Sequence, residues 1–122
     1  MIKINTQGCT RIVILTKRYA IKIPRITSWE GFLLGCLGNL NERRWKDVPK
    51  NFFLCPILYA NRFGLVNIMP RCSPVTNTGL YFTELERICV LSPCAREFYM
   101  SDAKPQNYGI YRGQMVKLDY GS

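Results

Sequence analysis

The segment over residues 11–24 constrains the fold most, because it has the pattern of an antiparallel β-hairpin. An apolar run over residues 11–15 is followed by the polar residues 16–18, which can turn, and by an alternating run over residues 19–23. With a period of two, Ala20 and Lys22 share one face of the second strand, and Pro24 ends it. The pattern predicts an antiparallel sheet in the N-terminal half, to which residues 2–5 add a short strand.

A helix is predicted next, beginning with a capping box formed by Thr27 and Glu30. Its apolar residues repeat at helical spacing and predict a core stripe, formed by Trp29, Phe32, Leu33, Cys36, Leu37 and Leu40. Another face carries Gly31, Gly35, Gly38 and Glu42. Each glycine costs about 1 kcal/mol against alanine inside a helix, which is explained if another backbone packs closely there. The alternative is a weak surface helix on which Glu42 is solvated.

The remaining elements complete an α+β order. Two further strands are predicted over residues 52–59 and 63–69, a second helix over residues 80–91, and a tight hairpin over residues 108–118. The inward positions of the second helix are predicted to be Leu80, Leu85, Ile88 and Leu91. Strands, helix, strands, helix and hairpin in this order favour an α+β arrangement over alternating βαβ units.

Composition restricts the classes of function that the chain can have. With 122 residues, 48% of them hydrophobic and 20% charged, it has the size and apolar content of one domain with a buried core. No apolar run has the length of a membrane helix and the start has no signal core, so a cytoplasmic protein is expected. The absence of histidine excludes Ser/His and Cys/His pairs and imidazole zinc sites. The six cysteines lack a C-x-x-C motif and are interpreted as small core residues, although a four-cysteine metal site stays open.

The net charge of +9 favours anionic partners, which include nucleotides, nucleic acids and acidic protein surfaces. The basic residues are scattered, and no run of them is longer than two. Proteins dedicated to nucleic acids usually carry a denser basic stripe. Nucleic-acid binding is therefore the weaker alternative.

Three short motifs and one glutamate resemble those of the protein-kinase-like family. The segment Asp102-Ala103-Lys104-Pro105-Gln106-Asn107 is similar to the catalytic loop of that family, and Asp119-Tyr120-Gly121 is similar to its Asp-Phe-Gly motif. Upstream, the residues Tyr-Ala-Ile-Lys at 19–22 resemble the Val-Ala-Ile-Lys strand, and Glu42 falls on the following helix, where the family has its ion-pair glutamate. The motifs stand in the family's order.

The resemblance implies a minimal protein-kinase-like fold over residues 1–122. An antiparallel N-terminal sheet with one packed helix would occupy residues 1–70, and a helix and a catalytic-loop hairpin would occupy residues 71–122. The C-terminal lobe of the family would be largely missing, because the chain stops at Ser122, soon after the second motif.

The resemblance also implies a site for ATP and Mg²⁺, because phosphoryl transfer requires the phosphate charge to be held and neutralised. Lys22 would bind the α- and β-phosphates. Glu42 would orient that lysine, although the sequence also leaves Glu30 as a partner. Ala20 would cover the adenine, and Met69 would begin the segment that meets the adenine edge.

The C-terminal motifs would supply the catalytic and metal-binding groups. Asp102 would be the catalytic carboxylate and Lys104 a second phosphate contact. Asn107 and Asp119 would be the Mg²⁺ ligands, since amide and carboxylate oxygens suit this ion.

Departures from the family leave two classes of function open. Met100 and Ser101 replace the His-Arg pair before the catalytic aspartate, and no Gly-x-Gly-x-x-Gly loop occurs. One class is a minimal phosphotransferase whose acceptor is small or presented by a partner protein. The other is a catalytically inactive kinase-like module that binds and regulates or inhibits a host protein. The small size and missing segments suit an accessory protein of a phage or mobile element.

Overall fold

The structure, a computed structural model, describes residues 3–5, 11–26, 28–101 and 103–120. The chain forms two compact units. Unit 1 comprises residues 1–47, 56–71 and 120–122, and unit 2 comprises residues 48–55 and 72–119. Both units combine helices with antiparallel strands, which confirms the predicted α+β class. That residues 1–122 form a single kinase-like domain stays a prediction.

Unit 1 contains a five-stranded antiparallel sheet and one long helix. Its elements are β1 (Lys3–Asn5), β2 (Arg11–Leu15), β3 (Tyr19–Pro24), α1 (Trp29–Arg43), β4 (Tyr59–Ala60) and β5 (Asn67–Pro70). The strand order is β1-β2-β3-β5-β4. The predicted hairpin over residues 11–24 is confirmed as β2 and β3, in which Val13 lies opposite Lys22. The predicted short N-terminal strand is confirmed over Lys3–Asn5, while Ile2 lies outside the described residues.

Helix α1 is buried most deeply on its glycine face and less on the predicted apolar stripe. Its N-cap is Ser28, whose Oγ accepts the Gly31 N–H at 3.0 Å, and Thr27 lies outside the described residues. The predicted core stripe is wrong, because three of its members are largely exposed: Trp29 (74%), Leu33 (48%) and Leu37 (50%). The helix residues that are buried are Gly35, Asn39 and Glu42. Burial of the face that carries Gly35 and Glu42 is therefore confirmed, but the neighbour at Gly38 is the Arg11 side chain and not a backbone. The other members of the apolar stripe, Phe32, Cys36 and Leu40, are half-buried.

The close packing of α1 involves a neighbouring backbone turn. Gly64 has a φ of +75°, and a Cβ added there would lie 2.3 Å from the carbonyl oxygen of Cys36 in the helix. The Gly64 N–H closes the turn on the Asn61 carbonyl at 3.1 Å. Because this turn occupies the start of the predicted strand over residues 63–69, only Asn67–Pro70 forms a strand.

The predicted strand over residues 52–59 is wrong for most of its length. Lys50–Phe52 form a 3₁₀ turn, and Phe53 follows in the left-handed region with a φ of 54°. Leu54 makes one isolated parallel bridge to Lys117, and the strand β4 covers only Tyr59–Ala60. A left-handed residue and Pro56, which has no N–H, interrupt the extended ladder that the apolar pattern indicates.

Unit 2 contains three short strands and two helices around an aromatic core. Its elements are β6 (Ser73–Pro74), α2 (Thr78–Leu91), α3 (Arg96–Met100), β7 (Tyr108–Tyr111) and β8 (Gln114–Lys117). The strands pair in the order β6-β7-β8. The predicted hairpin is confirmed, and both turn residues, Arg112 (φ 51°) and Gly113 (φ 81°), have the positive φ of a two-residue hairpin turn.

The second helix begins two residues before the predicted start. Asn77 caps it by accepting the Leu80 N–H at 3.0 Å. Leu85 and Ile88 are buried as predicted, but Leu80 and Leu91 are 51% and 53% exposed, so their predicted inward positions are wrong. The buried core of unit 2 consists of Tyr81, Leu85, Ile88, Tyr99, Tyr108 and Met115. In the described part of the chain, no helix is both long and apolar enough to cross a membrane.

Candidate functional site

The predicted ion pair between Lys22 and Glu42 is confirmed in unit 1. The Lys22 Nζ lies 2.8 Å from the Glu42 Oε2, and the side chains are 7% and 0% exposed. Lys22 belongs to β3 and Glu42 to the buried face of α1. Glu30, the other possible partner, is an exposed residue of the first helical turn. The strand lysine and the helix glutamate thus make a buried, charge-assisted contact.

A second cation, Arg11, shares the same carboxylate. Its Nη1 lies 2.9 Å from the Glu42 Oε1, and its Nη2 donates to the Oε2 at 3.2 Å. Both carboxylate oxygens therefore contact the guanidinium. The apolar pattern over residues 11–15 predicts the strand but does not identify Arg11 as a residue of the site. The alternation of side chains along a strand could have identified it. Arg11 and Val13 share a face of β2, and Val13 lies opposite Lys22.

Asn39 binds the side chain of Arg11 and the backbone of Lys22. Its Oδ1 accepts from Arg11 at 3.1 Å, and its Nδ2 donates to the Lys22 carbonyl at 3.2 Å and to the Gly64 carbonyl at 2.9 Å. Asn39 is completely buried. Its position three residues before Glu42 places it on the same helix face, which was the signal in the sequence.

Asn67 binds the carboxylate from the neighbouring strand. It lies opposite Lys22 in the register of β3 and β5. Its Nδ2 donates to the Asn39 carbonyl at 3.0 Å and to the Glu42 Oε1 at 3.3 Å. The Asn67 Oδ1 is buried with no hydrogen-bond partner among the described residues. We call these five buried residues the Glu42 cluster: Arg11, Lys22, Asn39, Glu42 and Asn67.

Tyr120, from the second C-terminal motif, also contacts the Glu42 cluster within unit 1. Its backbone N–H donates to the Glu42 Oε2 at 3.2 Å, and its ring centre lies 6.0 Å from the Lys22 Nζ. Tyr120 is only 4% exposed. The Glu42 carboxylate thus accepts from an arginine, a lysine, an asparagine and a backbone amide.

This environment strongly favours the ionised form of Glu42. Burial by itself would raise the pKa of this carboxyl group. The charges of Lys22 and Arg11, together with their hydrogen bonds, outweigh burial and lower the pKa of Glu42 to about 2. The carboxylate is therefore ionised at neutral pH, where it contacts the two cations.

The low pKa of Glu42 predicts acid sensitivity of the folded state. Because the folded pKa lies below the ordinary value of 4.5, ionised Glu42 contributes stability above pH 4.5 that is lost as the pH falls toward 2. The difference corresponds to about 3 kcal/mol. Urea unfolding measured between pH 6 and pH 2 should show this loss, and Glu42→Gln should remove that part of the pH dependence. An unchanged pH profile in Glu42→Gln would contradict the assignment.

Ala20 and Met69, the two residues predicted to contact the adenine, lie next to each other in unit 1. They are opposite in the register of β3 and β5. Ala20 is half-buried, and Met69 is 1% exposed. Ala20 is also two residues from Lys22 on the same strand, so it lies on the strand face that carries the ion pair.

The two predicted metal ligands belong to unit 2 and lie at neighbouring backbone positions. The Asn107 carbonyl accepts the N–H of Leu118, the residue before Asp119, at 2.7 Å. The base of the β7–β8 hairpin therefore brings Asn107 close to Asp119. An amide and a carboxylate are oxygen donors that fit Mg²⁺. The described residues include no cluster of three or more histidine, cysteine, aspartate or glutamate side chains that could hold a metal ion.

Of the other two predicted residues of the catalytic loop, the structure describes only Lys104. Asp102 lies outside the described residues. Lys104 is exposed, and its carbonyl accepts the Asn107 N–H at 2.9 Å, which closes the 3₁₀ turn Pro105–Asn107. The predicted roles of Asp102 and Lys104 in phosphoryl transfer stay predictions.

No family model matches the chain, and neither a curated protein nor a solved structure matches it.

Proposed function

We propose that this protein is a minimal kinase-like domain that binds ATP with Mg²⁺ and transfers phosphate to a small or partner-presented acceptor. The observation that carries the proposal is the buried contact of 2.8 Å between Lys22 and Glu42. A lysine held on a strand by a helix glutamate is the arrangement that phosphate binding requires in the kinase-like family. The position of Ala20 opposite Met69 supports an adenine contact beside this pair.

The Glu42 cluster supports a preorganised phosphate contact. The Glu42 carboxylate is held by Asn67 and by the Tyr120 amide, and the backbone of Lys22 is held by Asn39. The Lys22 side chain therefore loses little conformational freedom when a phosphate binds. Arg11 adds a second positive charge near the same carboxylate. In this proposal, Lys22 binds the α- and β-phosphates, and Glu42 orients its ammonium group.

Asn107 and Asp119 would hold the metal ion in this proposal. Mg²⁺ bound there would neutralise charge on the phosphates. Asp102 would accept or orient the proton of the acceptor hydroxyl, and Lys104 would contact the transferred phosphate. These four assignments rest on the resemblance of the C-terminal motifs.

Thermal unfolding with and without nucleotide tests the proposal. Millimolar ATP with Mg²⁺ should raise the Tm of the native chain, because binding at a hundredfold excess over Kd stabilises the folded state by about 2.7 kcal/mol. Lys22→Met and Asp119→Asn should each lose the increase. Lys17→Met, in the exposed turn between β2 and β3, should keep it. The absence of any increase in the native chain, or an increase that persists in Lys22→Met, would refute nucleotide binding at this site.

A specific observation favours a second candidate, the catalytically inactive kinase-like module that binds and regulates or inhibits a host protein. The apolar face of α1 is exposed at Trp29, Leu33 and Leu37, and exposed apolar patches are typical of protein-binding surfaces. Incubation with γ-labelled ATP separates the two candidates. Release of ADP or labelled phosphate supports the phosphotransferase, whereas nucleotide binding without turnover supports the module.

A further inference from the structure

Two cysteines of unit 2 hold their thiols in contact. The Sγ atoms of Cys55 and Cys72 lie 3.5 Å apart, although the residues are 17 positions apart in the chain. Residues 56–71 between them belong to unit 1, so Cys55 is the last residue before that segment and Cys72 the first after it. The thiol pair therefore lies at the two ends of this segment, where the chain leaves unit 2 and where it returns to it.

The β7–β8 hairpin fixes the backbone at both cysteines. The Cys55 N–H donates to the Lys117 carbonyl of β8 at 2.9 Å. On the other strand, a Cβ added at Gly109 of β7 would lie 2.7 Å from the Cys72 Cβ, so Cys72 packs directly against the strand. Because one hairpin holds both residues, the proximity of the thiols is a property of the fold of unit 2.

The two thiols differ in their exposure to solvent. Cys72 is half-buried, whereas Cys55 is 1% exposed. The hydrogen bond from Cys55 lowers the pKa of the Cys72 thiol, against the opposing effect of burial. Elsewhere in the chain, burial raises the pKa of the Cys36 and Cys89 thiols. Cys72 is therefore suited to attack an oxidant, and Cys55 is placed to attack Cys72 afterwards.

We propose that Cys55 and Cys72 are a redox modification site, at which exchange with a small disulfide such as oxidised glutathione forms a reversible intramolecular disulfide. The Cys72 thiolate attacks one sulfur of oxidised glutathione, the S–S bond of the oxidant breaks, and one glutathione leaves and takes up a proton. The Cys55 thiol then loses its proton and attacks the Cys72 sulfur, which releases the second glutathione. The protein loses two electrons and two protons, and the oxidant gains them.

The disulfide would close a loop around the segment of residues 56–71, which carries β4 and β5. Closing a loop of this length restricts the unfolded chain, and a rise in Tm of about 10 °C is expected for a domain of this size. A reductant such as dithiothreitol should reverse the rise. Oxidation is tested without nucleotide, so this test can fail separately from that of the proposed function.

Peptide mapping of the full chain after treatment with oxidised glutathione tests the proposal. We expect a mass lower by two hydrogen atoms and a cross-linked peptide that joins Cys55 to Cys72. Cys55→Ser should instead accumulate a glutathione adduct on Cys72, because the second attack is removed. Cys36→Ser, with a half-buried thiol on α1, should form the disulfide normally.

Two results would overturn the proposal. One is native protein that stays fully reduced, or carries only glutathione adducts, at a glutathione redox potential that oxidises ordinary protein thiols. The other is a cross-link in the native protein that joins a different pair of cysteines. Both results come from the native chain, so a variant that fails to fold does not affect the conclusion.

Discussion

Glu42→Gln is expected to lower the free energy of unfolding at pH 7 by about 4 kcal/mol, because removing one partner of a buried ion pair leaves the other charge uncompensated. Here the remaining charges are two, Lys22 and Arg11, which share the Glu42 carboxylate. Glutamine keeps the shape of the side chain, so the loss reports on charge and not on a cavity. Urea unfolding at constant m-value measures it.

The matched control for this prediction is Glu30→Gln on the same helix. Glu30 is exposed at the first turn of α1, and its replacement should change stability by about 0.5 kcal/mol or less. A Glu42→Gln variant as stable as the Glu30→Gln variant would show that the Glu42 cluster does not contribute to stability as described.

Gly64→Ala is expected to have a comparable effect, a loss of about 4 kcal/mol, for a steric reason. Its φ of +75° strains any residue with a Cβ, and that Cβ would lie 2.3 Å from the Cys36 carbonyl oxygen. The same turn accepts a hydrogen bond from Asn39 through the Gly64 carbonyl at 2.9 Å. Displacement of the turn would therefore also disturb the Glu42 cluster. Thermal and urea unfolding both measure the effect.

Gly113→Ala separates backbone strain from the steric clash, the two effects that act together at Gly64. Gly113 has a similar φ of +81° in the β7–β8 turn, but a Cβ there would meet no atom within 4 Å. Only backbone strain remains, so a loss of about 1 kcal/mol is expected. Equal losses in the two variants would mean that α1 and the Gly64 turn adjust to the extra methyl group.

Short sequence patterns correctly predicted the elements that are formed by neighbouring segments of the chain. The hairpin of β2 and β3 and the hairpin of β7 and β8 follow from alternation and turn residues, and both are observed. The Lys22–Glu42 contact was also predicted, but only through the resemblance of the surrounding motifs. The alternation of side chains alone places Lys22 on one face of β3, but it does not predict which residue Lys22 contacts.

The predictions from hydrophobic patterns were wrong where polar residues are buried. The apolar stripe of α1 looked like its core face, yet the helix packs through Gly35, Asn39 and Glu42. A hydrophobic pattern assumes that burial follows apolarity, and it fails where a polar network satisfies its own hydrogen bonds. Arg11 and Asn67 were missed for the same reason, since their partners come from elements distant in the chain.

The interrupted strand before β4 was missed for a different reason. Its residues are apolar, so the pattern over residues 52–59 indicated an extended strand. The left-handed conformation of Phe53 is not encoded by any glycine and is held by tertiary contacts, including the hydrogen bond from the Lys117 N–H to the Phe53 carbonyl at 2.8 Å. Single-residue conformations of this kind depend on the fold around them.

The exposed outer face of α1 makes the colloidal behaviour of this protein dependent on ionic strength. A chain with a net charge of +9 repels other copies of itself, and this repulsion keeps the indole of Trp29 and the leucines beside it apart in dilute buffer. The Debye length, over which charges act on one another, falls from about 30 Å at 0.01 M salt to about 3 Å at 1 M. Concentrated salt is therefore expected to lower the electrostatic barrier to association through this face.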